Sequence, residues 1–329
     1  MTNADAAGLP SSVFTCTSTV SVVSERPPLS FNKTWMGDVE YGQTHPQENL
    51  SALDAVKTIG ATAESYPTDP FGYSSLFLSE FAYCGDLMNL DYSRVSYTYD
   101  FEPYKDFAVS ADGSIVGFIG HLPSAEAIFV SFRGTEDLEN WAADLDILRT
   151  DYPLCSGCSV HEGFYSSMKD AYPIVSEAVK ALHDRYPSYN IVCTGHSLGA
   201  ALATLTALEL AGTYGSSKTH VYNYGSPRIF NDKGADYASS GAIRIGARRT
   251  HYQDIVPHVP PEIFGFRHIS GEIYENGPSS RWPDFPGGPL RNCVGGEDKN
   301  CADQYDGTSV DDHLLYSGVK MGSGGCSAL

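Results

Sequence analysis

Residues 189–212 read YNIVCTGHSLGAALATLTALELAG, and the chain changes period inside them with no linker between. The first part is a short apolar run of the buried-strand kind. The second is rich in Ala and Leu and reads as a helix ending at Gly212. A strand that becomes a helix within five residues needs a sheet with helices packed back on it, so this stretch points to an α/β architecture. Those five residues, Gly195-His196-Ser197-Leu198-Gly199, form a G-x-S-x-G pattern that occurs once. The pentapeptide alone is modest evidence; the strand before it and the helix after it make it specific. The glycines permit a sharp turn and a close approach of strand and helix. The turn sets the Ser197 hydroxyl at a helix N-terminus, where the helix dipole and free N–H groups favour a developing oxyanion. Ser197 is the candidate nucleophile rather than an inert turn serine, and the Leu198 N–H is the natural first oxyanion donor.

The remaining chain agrees. SSLFLSEFAYCGD (74–86) is helix-like, and SIVGFIG (114–120) and AEAIFVSF (125–132) are strand-like with the turn HLPS between them. In SSMKDAYPIVSEAVKALHDRYP (166–187), Met168, Tyr172, Val175, Val179 and Leu182 recur at helical spacing, with Ser166 or Ser167 as the expected cap. HVYNYGS, AIRIGARRTHY and HISGEIYE read as further strands. Strands alternating with helices imply an α/β domain with a mainly parallel central sheet. Residues 1–68 differ: rich in Ser, Thr and Pro and without sustained periodicity, they read as an N-terminal extension or pro-like segment, partly disordered, ahead of one domain over 69–329.

A serine nucleophile needs a base, and the base needs a carboxylate to orient it. On an elbow of this kind the chain order is Ser, acid, His. RTHYQDIVPHVPP places Asp254 directly after a strand and before a Pro-rich loop, whereas Asp232 and Asp236 lie in polar, helix-like or loop sequence. SVDDHLLYSG places His313 in a C-terminal loop able to fold over the sheet. His258 is too close to Asp254 to bridge it to Ser197; His268 begins a strand, and His251 reads as structural.

The strand AIFVSF runs into Arg133-Gly134-Thr135, a strand-end turn that could supply the second oxyanion donor. Thr135 offers both a backbone N–H and a hydroxyl; an ordinary helix N-cap fits the same residue. Beyond it, RGTEDLENWAADL carries four acids together with Leu138, Trp141, Ala142 and Leu145 on one helical face. Such a stripe faces the core or, in some states, something else.

The 329 residues carry 21 Lys and Arg against 40 Asp and Glu, a net charge of −19. That disfavours nucleic acid and anionic membrane surfaces as partners and suits a neutral substrate. No stretch is long and apolar enough for an integral membrane segment. The N-terminus, MTNADAAGLPSS, lacks a signal-peptide pattern, so either the chain is processed or recloned or it is not exported by the usual route. Eight cysteines favour an oxidising compartment. The pairs Cys155/Cys158 and Cys293/Cys301 lie in polar, Gly-rich loops with no histidine at zinc-ligand spacing. Sequons at Asn32 and Asn49 are compatible with secretion.

FRGTEDLENWAADL, VHEGF, TGHSLGAALATL, YGSPR, DIVPHVPP, GFRHISGEIY and DHLLYSG, in this order over residues 75–326, resemble the fungal class 3 lipases, secreted triacylglycerol lipases typified by the Rhizomucor and Thermomyces enzymes. The resemblance implies an α/β-hydrolase fold with helices on both faces of the sheet and a short helical lid. It implies a triad of Ser197, Asp254 and His313, an oxyanion hole from Thr135 and Leu198, and Asp144 as support for the oxyanion residue. It implies disulfides Cys84–Cys326, Cys155–Cys158 and Cys293–Cys301, leaving Cys193 as a buried thiol in its strand and Cys16 unassigned or paired intermolecularly. The lid would be the helix bearing Leu138, Trp141, Ala142 and Leu145, rolling away at a lipid–water interface. Acylglycerol ester hydrolysis by a secreted monomer, without metal or organic cofactor, is the expected function. Feruloyl esterases share the fold, the triad and a Cys-x-x-Cys clasp but carry a more polar segment at the lid, which makes a soluble carboxylesterase the alternative. An acyltransferase would use the same acyl-enzyme with an alcohol acceptor, and a non-enzymatic lipid-binding protein would not need a complete triad.

Overall fold

A computed structural model describes residues 71–110, 113–277 and 290–326. The segment 1–68, with Cys16, Asn32 and Asn49, lies outside the described residues. The core of the fold is an eight-stranded sheet. Its centre is five parallel strands: β3 (Ala127–Phe132), β6 (Asn190–His196), β7 (Thr219–Tyr224), β8 (Arg244–His251) and β9 (Glu272–Glu275). Antiparallel strands β1 (Glu102–Val109) and β2 (Ile115–Leu122) flank one side, and β10 (Leu290–Asn292) the other. Two small hairpins stand apart: β4 (Arg149–Asp151) with β5 (Ser159–His161), and β11 (Leu315–Tyr316) with β12 (Val319–Lys320).

Strand period sorts the side chains into two cores. On β3, Ile128, Val130 and Phe132 enter one core and Ala127 and Phe129 the other; on β6, Ile191 and Cys193 oppose Val192. The first core is closed by α3 (Glu162–Arg185) and α4 (Leu198–Tyr214), through Phe164, Met168, Val175, Val179 and Leu182 on the former. The second is closed by α1 (Gly72–Phe81), through Leu76, Phe77 and Phe81. Helices therefore cover both faces, as a buried parallel sheet requires.

Three local expectations change. α3 begins at Glu162, ahead of Ser166 and Ser167, because His161 ends β5 and caps the helix at once: its Nδ1 accepts from the Phe164 N–H at 3.3 Å. α4 runs past Gly212 to Tyr214, and the glycine at its end is Gly215, whose φ of 92° needs one. β1, EPYKDFAV, escaped the pattern reading because Phe107 is its one fully buried side chain, so no apolar alternation exists to be read.

The disulfide Cys84–Cys326 ties the end of α1 to the C-terminal residues across a separation of 242, and Cys155–Cys158 clasps the β4–β5 hairpin. Cys293–Cys301 closes the loop after β10, and Cys193 is a buried free thiol whose proton is held more tightly by burial. Beside the first bridge, Glu80 is wholly buried, and burial raises its carboxyl to about 9 against a backbone bond from Gly322 and the charge of Lys320. The folded protein thus keeps a proton that the unfolded chain releases. The resulting stability is full below the ordinary carboxyl range and lost as pH rises towards about 9. Glu80→Gln, neutral at every pH, should flatten the fall of Tm over that window; melting curves that decline in parallel with wild type would assign the titration elsewhere.

Candidate active site

Ser197 sits between β6 and α4 at φ 60°, ψ −129°, a strained conformation for a side chain with a Cβ. Its N–H donates to Tyr224 O at 2.9 Å, and its hydroxyl makes no capping bond. The neighbouring glycines are there for contact. A Cβ on Gly195 would stand 2.4 Å from the Gly199 carbonyl, and one on Gly199 would stand 2.3 Å from Phe132 O on β3. The elbow is thus pressed against both its own helix and the adjacent strand, with Leu198 opening α4.

His313 ends the short helix α5 (Val310–His313), which Ser309 starts by accepting from the Asp312 N–H at 2.9 Å. Its Nδ1–H donates to Asp254, 2.9 Å from either carboxylate oxygen. Asp254 follows β8 and accepts two more bonds: the Val256 N–H at 2.8 Å on Oδ1, and the Tyr316 hydroxyl on Oδ2. Burial, then the charge of Asp254, lifts the Tyr316 phenol well above its ordinary value, so it remains a donor. Gly225, at φ 59°, leaves room for the pair: a Cβ there would lie 2.8 Å from His313 Cε1 and 3.0 Å from Asp254 Oδ2. Ser197 Oγ and His313 Nε2 are both buried, and neither has a hydrogen-bond partner among the described residues. The atoms that a nucleophile and its base would use are the ones left uncommitted. Asp232 and Asp236 are exposed, Asp232 pairing with Arg267 at 3.1 Å, and His268 spends its Nε2–H on Pro257 O at 2.7 Å.

The loop after β3 passes directly over the elbow: a Cβ on Gly134 would lie 2.9 Å from Ser197 Cβ and 2.2 Å from the Tyr83 hydroxyl. Thr135 follows, half-buried. It is not the helix cap, since α2 (Leu138–Asp144) has Asp137 in that position. Tyr83 and His196 form a network that the sequence did not disclose. The Gly134 N–H donates to Tyr83 Oη, Tyr83 Oη lies 2.7 Å from His196 Nδ1, and His196 Nε2 lies 2.8 Å from the His313 carbonyl. A carbonyl only accepts, so the proton is on Nε2 and the phenol donates to Nδ1. Burial, then the neighbouring His313, holds His196 well below its ordinary value, which fits this single neutral tautomer. His196 is the second residue of the pentapeptide, whereas nothing near Tyr83 marks it in sequence.

On α2, Leu138 is buried and Trp141 and Ala142 are half-buried; Leu145, also half-buried, lies just past the helix in extended conformation, and Trp141 and Leu145 pack on the first core. Trp141 lies near-parallel to Phe164, centroids 6.3 Å apart. Beyond the helix, His161 Nε2–H donates to Asp146 O at 2.9 Å. The Asp144 side chain lies outside the described residues. A cleft of about 450 Å³ lined by Tyr83, Asp106, Phe107, Arg133 and Glu136 does not include Ser197 or His313 in its walls. Ser197 itself is 1% exposed.

Residues 129–264 match the family model for lipase (class 3). The lipase of Rhizomucor miehei is 36% identical over 60% of this chain and 54% of its own length; its propeptide complex superposes with TM-score 0.69 at 30% identity, over 80% of this chain and 83% of that one. The secreted mono- and diacylglycerol lipase A of Penicillium camembertii is 36% identical over 53% of this chain and 56% of its own length. A solved triacylglycerol lipase, its catalytic centre described as a serine protease triad, superposes with TM-score 0.70 at 31% identity, over 80% of this chain and 98% of that one. The chain spans about half the length of the first two curated relatives. The fold is that of the α/β-hydrolases.

Proposed function

The chain belongs to the class 3 lipases, and from that premise we propose that it is a secreted serine esterase, hydrolysing the carboxylic esters of acylglycerols through an acyl-enzyme on Ser197. The observation that carries this reading is the His313–Asp254 pair beside a strained serine whose hydroxyl has no structural task. With its proton on Nδ1, His313 offers Nε2 as base to Ser197. The alkoxide attacks the ester carbonyl, and the Thr135 and Leu198 N–H groups receive the oxyanion, a donor of this kind contributing about 3 kcal/mol. The imidazolium, stabilised by Asp254, then protonates the departing alcohol, and water repeats the cycle on the acyl-enzyme. Tyr316 and the Val256 N–H keep the carboxylate aimed.

A sealed serine needs a moving cover. We assign that part to α2, with Leu138, Trp141, Ala142 and Leu145 leaving the core for a lipid–water interface and Asp144 supporting Thr135. Arg149 Nη1 donates to Gly265 O at 3.0 Å, bringing exposed Ile147 and Leu148 near exposed Ile263 and Phe264. This apolar edge beside the helix favours a lipid surface over a soluble ester. The secreted, monomeric state and the extension over residues 1–68 belong to the same reading; among the described residues no helix is long and apolar enough to cross a membrane. Exposed Glu136 and Asp137 favour the second reading, a feruloyl-type soluble carboxylesterase.

Rate measured against concentration through the solubility limit separates the two. On a triolein-type ester the rate should climb once emulsion forms, and Trp141 emission should shift in the same titration. Saturation below that limit on methyl ferulate, with unchanged emission, would reverse the choice.

A further inference from the structure

The His251 ring meets a carbonyl oxygen at each nitrogen: Nδ1 lies 2.8 Å from Asp312 O, and Nε2 lies 3.0 Å from Gly277 O. Carbonyl oxygens only accept, so each bond needs a proton on the ring, and both exist together only in the imidazolium. His196 is the contrast, since its second partner is a phenol that donates. His251 is 0% exposed, and a buried cation needs an opposite charge. Glu275 stands directly opposite it in the β8–β9 ladder and is equally buried. Burial pushes the Glu275 carboxyl up, but the charges of Arg249 and His251 and the bonds from Ser317 and Arg249 outweigh it and hold the group below its ordinary value. Among the described residues, the ring also has near it the Asp312 carboxylate, which takes the Gln253 N–H at 3.3 Å, and Tyr316, edge-on at 5.9 Å with its hydroxyl on Asp254.

We propose that protonated His251 is a positioning residue for the reaction: by holding the Asp312 carbonyl it sets the backbone from which His313 projects. The proposal rests on His313 being the base that serves Ser197. Without the ring as donor, a buried carbonyl at Asp312 has no partner and the segment before His313 loses a constraint. The loss should appear in kcat rather than KM, since His251 meets no substrate.

The ring itself can be read in the wild-type protein by nitrogen NMR of labelled histidine. Both His251 nitrogens should carry protons at neutral pH; one bare nitrogen there overturns the proposal. Kinetics on a soluble short-chain ester provide the second arm. His251→Asn keeps an amide N–H near the place of Nδ1. It should retain kcat within about threefold, whereas His251→Leu should lose about 10- to 100-fold in kcat with KM nearly unchanged. Equal kcat in the two variants would also overturn it. A wild-type protein that hydrolyses no ester would instead remove the esterase reading, and the NMR arm would still decide the state of the ring.

Discussion

Ser197→Ala is expected to lower kcat on a soluble ester by about 10⁶-fold while leaving the fold intact. The size follows from what remains: an oxyanion hole and a binding site still favour attack by water, but the base has no nucleophile to activate. The intact fold follows from the geometry. The hydroxyl is buried without a partner and caps nothing, so its removal leaves no other group unsatisfied. A companion, Ser197→Gly, separates stability from activity. At φ 60° and ψ −129° a Cβ is strained, and glycine should relieve on the order of 1 kcal/mol while remaining inactive. A Tm raised in the glycine variant, with turnover abolished in both, is the expected pair of results. Wild-type turnover in Ser197→Ala would remove the nucleophile and, with it, the esterase.

The elbow was legible because its chemistry is local: strand period, glycine, serine and helix follow one another, and steric contact at Gly195 and Gly199 explains why the pattern is written that way. The parallel sheet was legible for a similar reason, since buried strands announce themselves by apolar runs such as Ala127 to Val130. Where the physics joins residues distant in sequence, the signal disappears. Tyr83 meets His196 across 113 positions, and Tyr316 meets Asp254 across 62. Nothing in SSLFLSEFAYCGD says that a phenol there selects a tautomer in the pentapeptide. His251 was read as structural because a buried histidine beside a strand looks the same whichever protons it carries. The two carbonyls around it, at Asp312 and Gly277, belong to later segments of the chain. Thr135 fitted a helix cap as well as an oxyanion donor in the sequence, and the helix starts from Asp137 instead, which removes the cap reading.

Asp254→Asn should cost about 10⁴-fold in kcat, and the surroundings of the carboxylate explain why so small a change weighs so much. Three donors converge on Asp254: His313 Nδ1–H, the Val256 N–H and the Tyr316 hydroxyl. An amide offers one accepting oxygen and one donating nitrogen. The backbone N–H of Val256 cannot change role, so the oxygen stays on its side and the nitrogen turns towards Tyr316, whose hydroxyl can rotate to accept. His313 Nδ1 stood 2.9 Å from both oxygens and now faces a donor as well as an acceptor. The tautomer with its proton on Nε2 gains ground, and that tautomer cannot accept a proton from Ser197. The charge that stabilised the imidazolium is gone as well. A double-mutant cycle tests the account. Tyr316→Phe alone removes one donor to the carboxylate and should lower kcat by about 10-fold, within the range for a hydrogen bond to a charged group. In the Asp254→Asn background the same change should cost much less, because Tyr316 acts through the charge it solvates. Equal losses in both backgrounds would mean that Tyr316 serves packing, and that the carboxylate does its work without it.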